Sequence, residues 1–122
     1  MNTTVFAFYG SLRRGMENHL FHKNHLKYLF SARLRGYNLY SLGDFPIAVK
    51  SSDPDNSIVV ELFSIVDRTT REMIHQLEID EGYFLETITV DGIEAGIYLH
   101  NKAENYPLVQ SGDWVTFFRQ KH

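Results

Sequence analysis

Val5-Phe6-Ala7-Phe8-Tyr9, closed by Gly10-Ser11-Leu12, is the stretch on which the fold of this chain turns. Five apolar residues run without interruption and stop at a glycine. A short run of this kind, rich in aromatic and branched side chains, reads as a strand buried on both faces. Working outward, Asn18 to Leu29 carries apolar residues at 20, 21, 26, 28 and 29 behind an Asn cap, which predicts a short helix. From Phe30 to Leu42 the pattern becomes strand-like, with a break at Gly36 that marks a bulge or sharp bend. Ser51 to Ser57 is a surface loop. Ile58 to Ile65 is a second buried strand with one charge, Glu61, in its middle. Thr69-Thr70-Arg71-Glu72 has the form of a capping box and opens a helix with Met73, Ile74 and Leu77 on its buried stripe, ending near Glu78 or Ile79. Tyr83 to Val90 and Ile93 to His100 form a hairpin around Asp91-Gly92. Asn101 to Pro107 is loop, and Trp114 to Phe118 is a last apolar segment. The order strand, helix, strands, helix, hairpin predicts an α+β fold. The bend at Gly36 favours a small mixed β-barrel flanked by short helices.

Composition removes several classes of function. The chain has 122 residues, enough for a single domain over 1–122 with a real core. At 43% hydrophobic and 14% aromatic residues it is neither disordered nor a coiled coil. It has no cysteine, hence no disulfide, thiolate metal site or cysteine nucleophile. Twelve Lys and Arg against 15 Asp and Glu give a net charge of −3, and no basic run reaches four residues. That argues against a nucleic-acid partner. The N-terminal apolar run is too short for a signal core or a membrane span, so no membrane partner and a cytoplasmic location are expected.

Five constellations could carry chemistry. Gly10-Ser11-Leu12 follows a buried strand, so its backbone amides can hold a carboxylate or a developing oxyanion. Glu78-Ile79-Asp80-Glu81 puts three carboxylates within four residues at a helix C-terminus, where the dipole and mutual repulsion raise a carboxyl pKa toward a general base's range. Glu61 is either on a sheet edge facing water, the commoner case, or paired inside. His19, His22 and His25 recur every third residue, about 60° apart around a helix, which is a poor arrangement for one ion; no metal is expected. Ser11 lacks the glycine-flanked elbow of a serine hydrolase.

Tyr9-Gly10-Ser11-Leu12, Gly36-Tyr37-Asn38-Leu39-Tyr40 with Gly43-Asp44-Phe45-Pro46, Glu61-Leu62-Phe63, Asp80-Glu81-Gly82-Tyr83 and Ser111-Gly112-Asp113-Trp114 occur in this order. Together they resemble the γ-glutamylcyclotransferase-like family, including its AIG2-like and γ-glutamylamine cyclotransferase branches. The resemblance implies a small barrel and a reaction in which the α-amine of a γ-glutamyl amide attacks its own γ-carbonyl, releasing 5-oxoproline and a free amine. It implies Glu81 as the catalytic glutamate, Tyr9, Gly10, Ser11 and Leu12 as the substrate-binding loop, and no cofactor; Tyr83 and Glu61 are further pocket candidates. The loop and Glu81 are therefore expected to share one cavity. The chain departs from the family at two places. Many members have Tyr-x-Arg where this chain has Tyr83-Phe84-Leu85, and many have Gly where Val60 precedes Glu61. A barrel that binds a small amino-acid-like ligand without catalysis is the alternative function, and the missing arginine leans that way.

Overall fold

The computed structural model describes residues 3–121. The buried strand β1 (Val5–Phe8) is the centre of a five-stranded sheet of order β2 (Lys27–Arg35), β5 (Ser57–Ser64), β1, β7 (Ile93–Leu99), β6 (Phe84–Val90). It runs antiparallel to β5, with Phe8 opposite Glu61, and parallel to β7, with Phe6 opposite Gly96. A strand with neighbours on both sides and cover on both faces has no polar side to show, which is why its sequence does not alternate. β5 is also internal and is buried from Val60 through Phe63. The edge strand β2 alternates between half-buried and exposed side chains from Phe30 to Arg35.

The hairpin β3 (Tyr37–Ser41) and β4 (Pro46–Lys50) forms a second, two-stranded sheet. Gly36 turns the chain into it at φ +85°, a left-handed conformation that suits glycine. Its amide donates to Asn56 O at 2.7 Å and its carbonyl accepts from the Ser51 amide at 2.8 Å. Three helices, α1 (Glu17–His22), α2 (Arg68–Asp80) and α3 (Trp114–Lys121), complete an α+β fold. The expected barrel is not closed. β2 and β6 remain as edges, and among the described residues no strand ladder joins the two sheets. Closure needs a continuous staggered register around the ring. The bend at Gly36 instead sends β3 into another layer, tied to the main sheet by local bonds such as His100 N–H to Ala48 O at 3.0 Å. Phe63, Leu62, Ile58, Ile97 and Leu99 fill the interior with Trp114 of α3, all fully enclosed; burying each such side chain stabilises the fold by about 1.5–3 kcal/mol.

Several local expectations are corrected. The helix over 18–29 stops at His22, passes through a 3-10 turn at Lys23–His25, and gives way to β2. Lys27 and Tyr28 pair with Ser64 and Phe63 of β5, and that pairing overrides the weak helical pattern ahead of Phe30, where the strand-like pattern begins. Asn18 does not cap that helix; its amide donates to Ser11 Oγ at 2.7 Å. The cap of α2 is Asp67, whose Oδ2 accepts from the Thr70 amide at 2.9 Å and its hydroxyl at 2.7 Å. Of the predicted stripe only Ile74 is buried, while Met73 and Leu77 are 51% and 46% exposed. β4 lies where the sequence pattern indicated no element. Trp114 to Phe118 is helical, its first turn held by Asp113 carboxylate bonds to the Thr116 amide and hydroxyl.

Candidate active site

A cavity of about 240 Å³ opens between the end of β1, the start of α1, the β3–β4 turn and the C-terminal turn of α2. Tyr9, Gly10, Ser11 and Leu12 line one side; Glu78, Glu81 and Tyr83 line another, with Phe45 and Pro46 between them. Residues some seventy positions apart meet because β1 ends beside β7, and α2 delivers its last turn onto the same end of the sheet.

The loop is held from several directions. Tyr9 Oη donates to Tyr98 O at 2.5 Å and accepts from the Ala48 amide at 3.2 Å, bolting the end of β1 to β7 and β4. Gly10 lies so close to Pro46 that an added Cβ would come within 2.9 Å of its ring, so no side chain fits there without a shift. Gly10 O accepts from the Arg13 amide at 3.0 Å and Ser11 O from the His19 amide at 3.1 Å. Among the described residues the Ser11 and Leu12 amides meet no acceptor. A turn with its carbonyls engaged and its amides free can receive an anion or a developing oxyanion.

The last turn of α2 carries the carboxylates. The Glu81 amide donates to Glu78 O at 3.1 Å and Leu77 O at 3.2 Å, and the Tyr83 amide closes back on Glu78 O at 3.0 Å. Glu81 is exposed at the rim, whereas Glu78 is partly buried one turn deeper. Burial, reinforced by the charge of Glu81, pushes the Glu78 carboxyl up to about 7. Burial also raises the Tyr83, Tyr98 and Tyr9 hydroxyls, each with a contribution from Glu78. Tyr83 Oη donates to Pro46 O at 2.6 Å, and Tyr98 Oη meets His75 Nδ1 at 2.9 Å. Among the described residues no arginine or lysine lines the cavity.

Glu61 is not on an edge and is not among the cavity-lining residues. It is 3% exposed in an internal strand, where it is paired. Its Oε2 meets Arg13 Nε at 2.9 Å; its Oε1 accepts from the Arg14 amide at 2.9 Å and from Arg14 Nε at 3.1 Å. Arg13 also reaches Asp113 Oδ1 at 2.8 Å. Burial works against the charge of Glu61, but the Arg14 amide and the Arg13 guanidinium outweigh it and hold the carboxyl below its usual range. This cluster grips the chain immediately after the loop.

Asp80 turns away from the cavity and accepts from Gln76 Nε2 at 2.9 Å on the surface. His19 packs on the Phe63 ring at 5.5 Å and His22 on Phe21 at 4.7 Å. Among the described residues no group of three or more His, Asp or Glu is arranged to hold a metal ion. The Asn18 bond to Ser11, the Tyr98 wall and the depth of Glu78 were not read from the sequence. Asn18 gives no signal beyond its nearness to the loop, and Tyr98 looks like any aromatic on a hairpin strand.

Residues 6–116 match the family described as γ-glutamyl cyclotransferase, AIG2-like. The chain belongs to that family. A Pyrococcus horikoshii protein named "Putative gamma-glutamylcyclotransferase PH0828" is 32% identical over 108 residues, covering 88% of each chain. The crystal structure of PH0828 superposes with a TM-score of 0.82 at 29% identity, over 98% of this chain and 97% of that one. The solution structure of Escherichia coli YtfP gives 0.72 at 27% identity, over 91% and 96%. An AIG2-like protein from Mus musculus shares the fold at a TM-score of 0.64 and 17% identity, over 90% and 88%. Of the described helices of this family member, none is long and apolar enough to cross a membrane.

Proposed function

We propose that this protein is a cytoplasmic enzyme that cleaves a small γ-glutamyl amide by intramolecular attack of the α-amine, releasing 5-oxoproline and a free amine. Glu81 takes a proton from the α-ammonium, and the freed amine attacks the γ-carbonyl carbon. The Ser11 and Leu12 amides receive the oxyanion, and the tetrahedral intermediate expels the amine. Because nucleophile and electrophile belong to one molecule, the site need only fold the γ-glutamyl chain into its reactive conformation. Proton removal of this kind is worth about 10²–10⁴-fold. A pair of oxyanion donors is worth on the order of 10²–10³-fold per donor.

The observation that carries this reading is the meeting of unpaired loop amides and a carboxylate pair across one cavity. At about 240 Å³ the cavity is smaller than the roughly 300–1,000 Å³ of drug-sized sites, which suits an amino-acid-sized group. The second reading, a binding pocket without catalysis, is favoured by the lack of a basic side chain for the substrate carboxylate. A screen of γ-glutamyl amides for 5-oxoproline release separates the two. Turnover of any member supports the enzyme; binding of the panel without turnover supports the pocket protein.

A further inference from the structure

We propose that Glu78 is the acid that protonates the departing amine, so that two carboxylates divide the proton transfers that one could perform in turn. The inference rests on the cyclotransferase reading of the cavity. Glu78 and Glu81 lie one turn apart on the same face at the end of α2 and line the same cavity. Their surroundings differ. Glu81 is at the wet rim, and Glu78 is deeper, with no hydrogen-bond donor to its carboxylate among the described residues. The titratable groups around Glu78 are Glu81 and His75 on its own element, the latter bonded to Tyr98 Oη, Tyr9 at the end of β1, Tyr83 before β6 with His100 packed on its ring, Tyr98 on β7, and the wall residues Glu17 and Asp44. No lysine or arginine is among them. The helix C-terminus adds negative potential at the same point. Burial first, and then the charge of Glu81, favour the neutral carboxyl and bring its pKa to about 7. Two adjacent carboxyls with environments that push them apart are suited to act as base and acid at one pH.

The steps balance. Glu81 accepts one proton from the α-ammonium. The amine nitrogen forms its bond to the γ-carbon, and the carbonyl pair moves onto oxygen. As the oxyanion collapses, the bond from carbon to the leaving nitrogen breaks, and that nitrogen takes the proton of Glu78. The second proton lost by the attacking nitrogen restores Glu78. The proton on Glu81 passes through the open rim to water and on to the released amine.

The test compares two substrates whose leaving groups differ in basicity: the γ-glutamyl amides of n-butylamine and of 4-nitroaniline. Wild-type protein is expected to release 5-oxoproline from both. With the butylamide its kcat should fall as pH rises through about 7, because Glu78 must hold its proton; with the nitroanilide that falling limb should be absent. Glu78→Gln should lower kcat on the butylamide by about 10²–10⁴-fold, leave the nitroanilide within about fivefold, and leave KM for both nearly unchanged. Glu78→Asp should recover part of the loss. Equal losses on both substrates, or a wild-type falling limb that is common to both or absent from both, overturns the assignment while leaving the cyclotransferase reading intact. A wild-type protein that releases 5-oxoproline from neither overturns both.

Discussion

Glu61 and Glu78 are the same side chain in opposite surroundings. Glu61 is fully inside and ringed by cations: two guanidinium contacts and one backbone amide within 3.1 Å. Glu78 is less exposed to cations: no lysine or arginine lines its cavity, and Glu81 stands one turn away. The first is held below the usual carboxylate range and the second is raised to about 7. Burial raises both carboxyls; what separates a brace from a proton-transfer group is that donors and cations outweigh burial at Glu61, while at Glu78 the charge of Glu81 adds to it. Their contributions to stability run in opposite directions. A depressed folded pKa gives Glu61 a stabilising effect that is full above the ordinary carboxylate range and is lost as pH falls through its lowered value. A raised folded pKa means that Glu78 favours the fold below the ordinary range, and that this is lost as pH rises through about 7.

The largest effect expected is on turnover. Glu81→Gln keeps the size and reach of the side chain but cannot take the ammonium proton. Release of 5-oxoproline should fall by about 10²–10⁴-fold, with unfolding free energy changed by less than about 0.5 kcal/mol because Glu81 is exposed. A variant that keeps most of its activity would move the base elsewhere in the cavity.

The two members of the comparison come next. Glu61→Ala leaves Arg13 buried with half its partners gone, and should cost about 3–5 kcal/mol in urea unfolding at pH 7. The loop it grips should loosen as well, so KM should rise in whatever protein remains folded. Glu78→Gln should do the reverse at high pH. At pH 8 the wild-type fold must ionise a carboxyl that its surroundings disfavour, and the amide is spared that cost. The variant should be the more stable by on the order of 3 kcal/mol at pH 8, and within about 0.5 kcal/mol of wild type at pH 4. Urea curves at the two pH values measure this. A wild-type protein that does not lose this stability between them would show that Glu78 is not confined as described.

Much of the fold was legible because its strongest elements are locally consistent. β1, β5 and the Asp91-Gly92 hairpin each combine propensity, burial pattern and turn chemistry, and each stands where expected. The failures fall where tertiary contacts decide. Tyr28 and Leu29 fit a helical stripe, but β2 claims them: Tyr28 pairs with Phe63 of β5, and Leu29 falls at the bulge between Tyr28 and Phe30. β4 begins at a proline and is short, and it is defined by its partner β3 rather than by its own pattern. At the site, the loop and the acidic segment were visible as residue types. Which carboxylate goes inside was not, because that depends on the angle at which α2 meets the sheet. Glu61 misled for the same reason: a charge in an apolar run suggests an edge until its cations, 47 and 48 positions away, are seen beside it.

The smallest effect expected comes from Asp80, and its size decides what tunes Glu78. Asp80 is two residues from Glu78 and one from Glu81, so sequence proximity alone would give it a share in their titration. Helical pitch gives a different answer. Positions 78 and 81 are about 60° apart around the axis, while 80 is about 160° from 78. Its carboxylate accordingly lies on the outer face, bonded to Gln76 at 2.9 Å and in water. Charges separated by solvent are screened, and exposed pairs of this kind are worth at most about 1 kcal/mol. Asp80→Asn should therefore change kcat by less than about twofold, and should move the pH dependence of the butylamide reaction by less than a few tenths of a unit. Raising the salt to 1 M should abolish even that, since the screening length falls to about 3 Å. A shift comparable to that from Glu81→Gln would mean that net charge in the segment, rather than which carboxylates face the cavity, sets the protonation of Glu78. The contrast with Glu61 would then rest on a regional potential instead of on named partners.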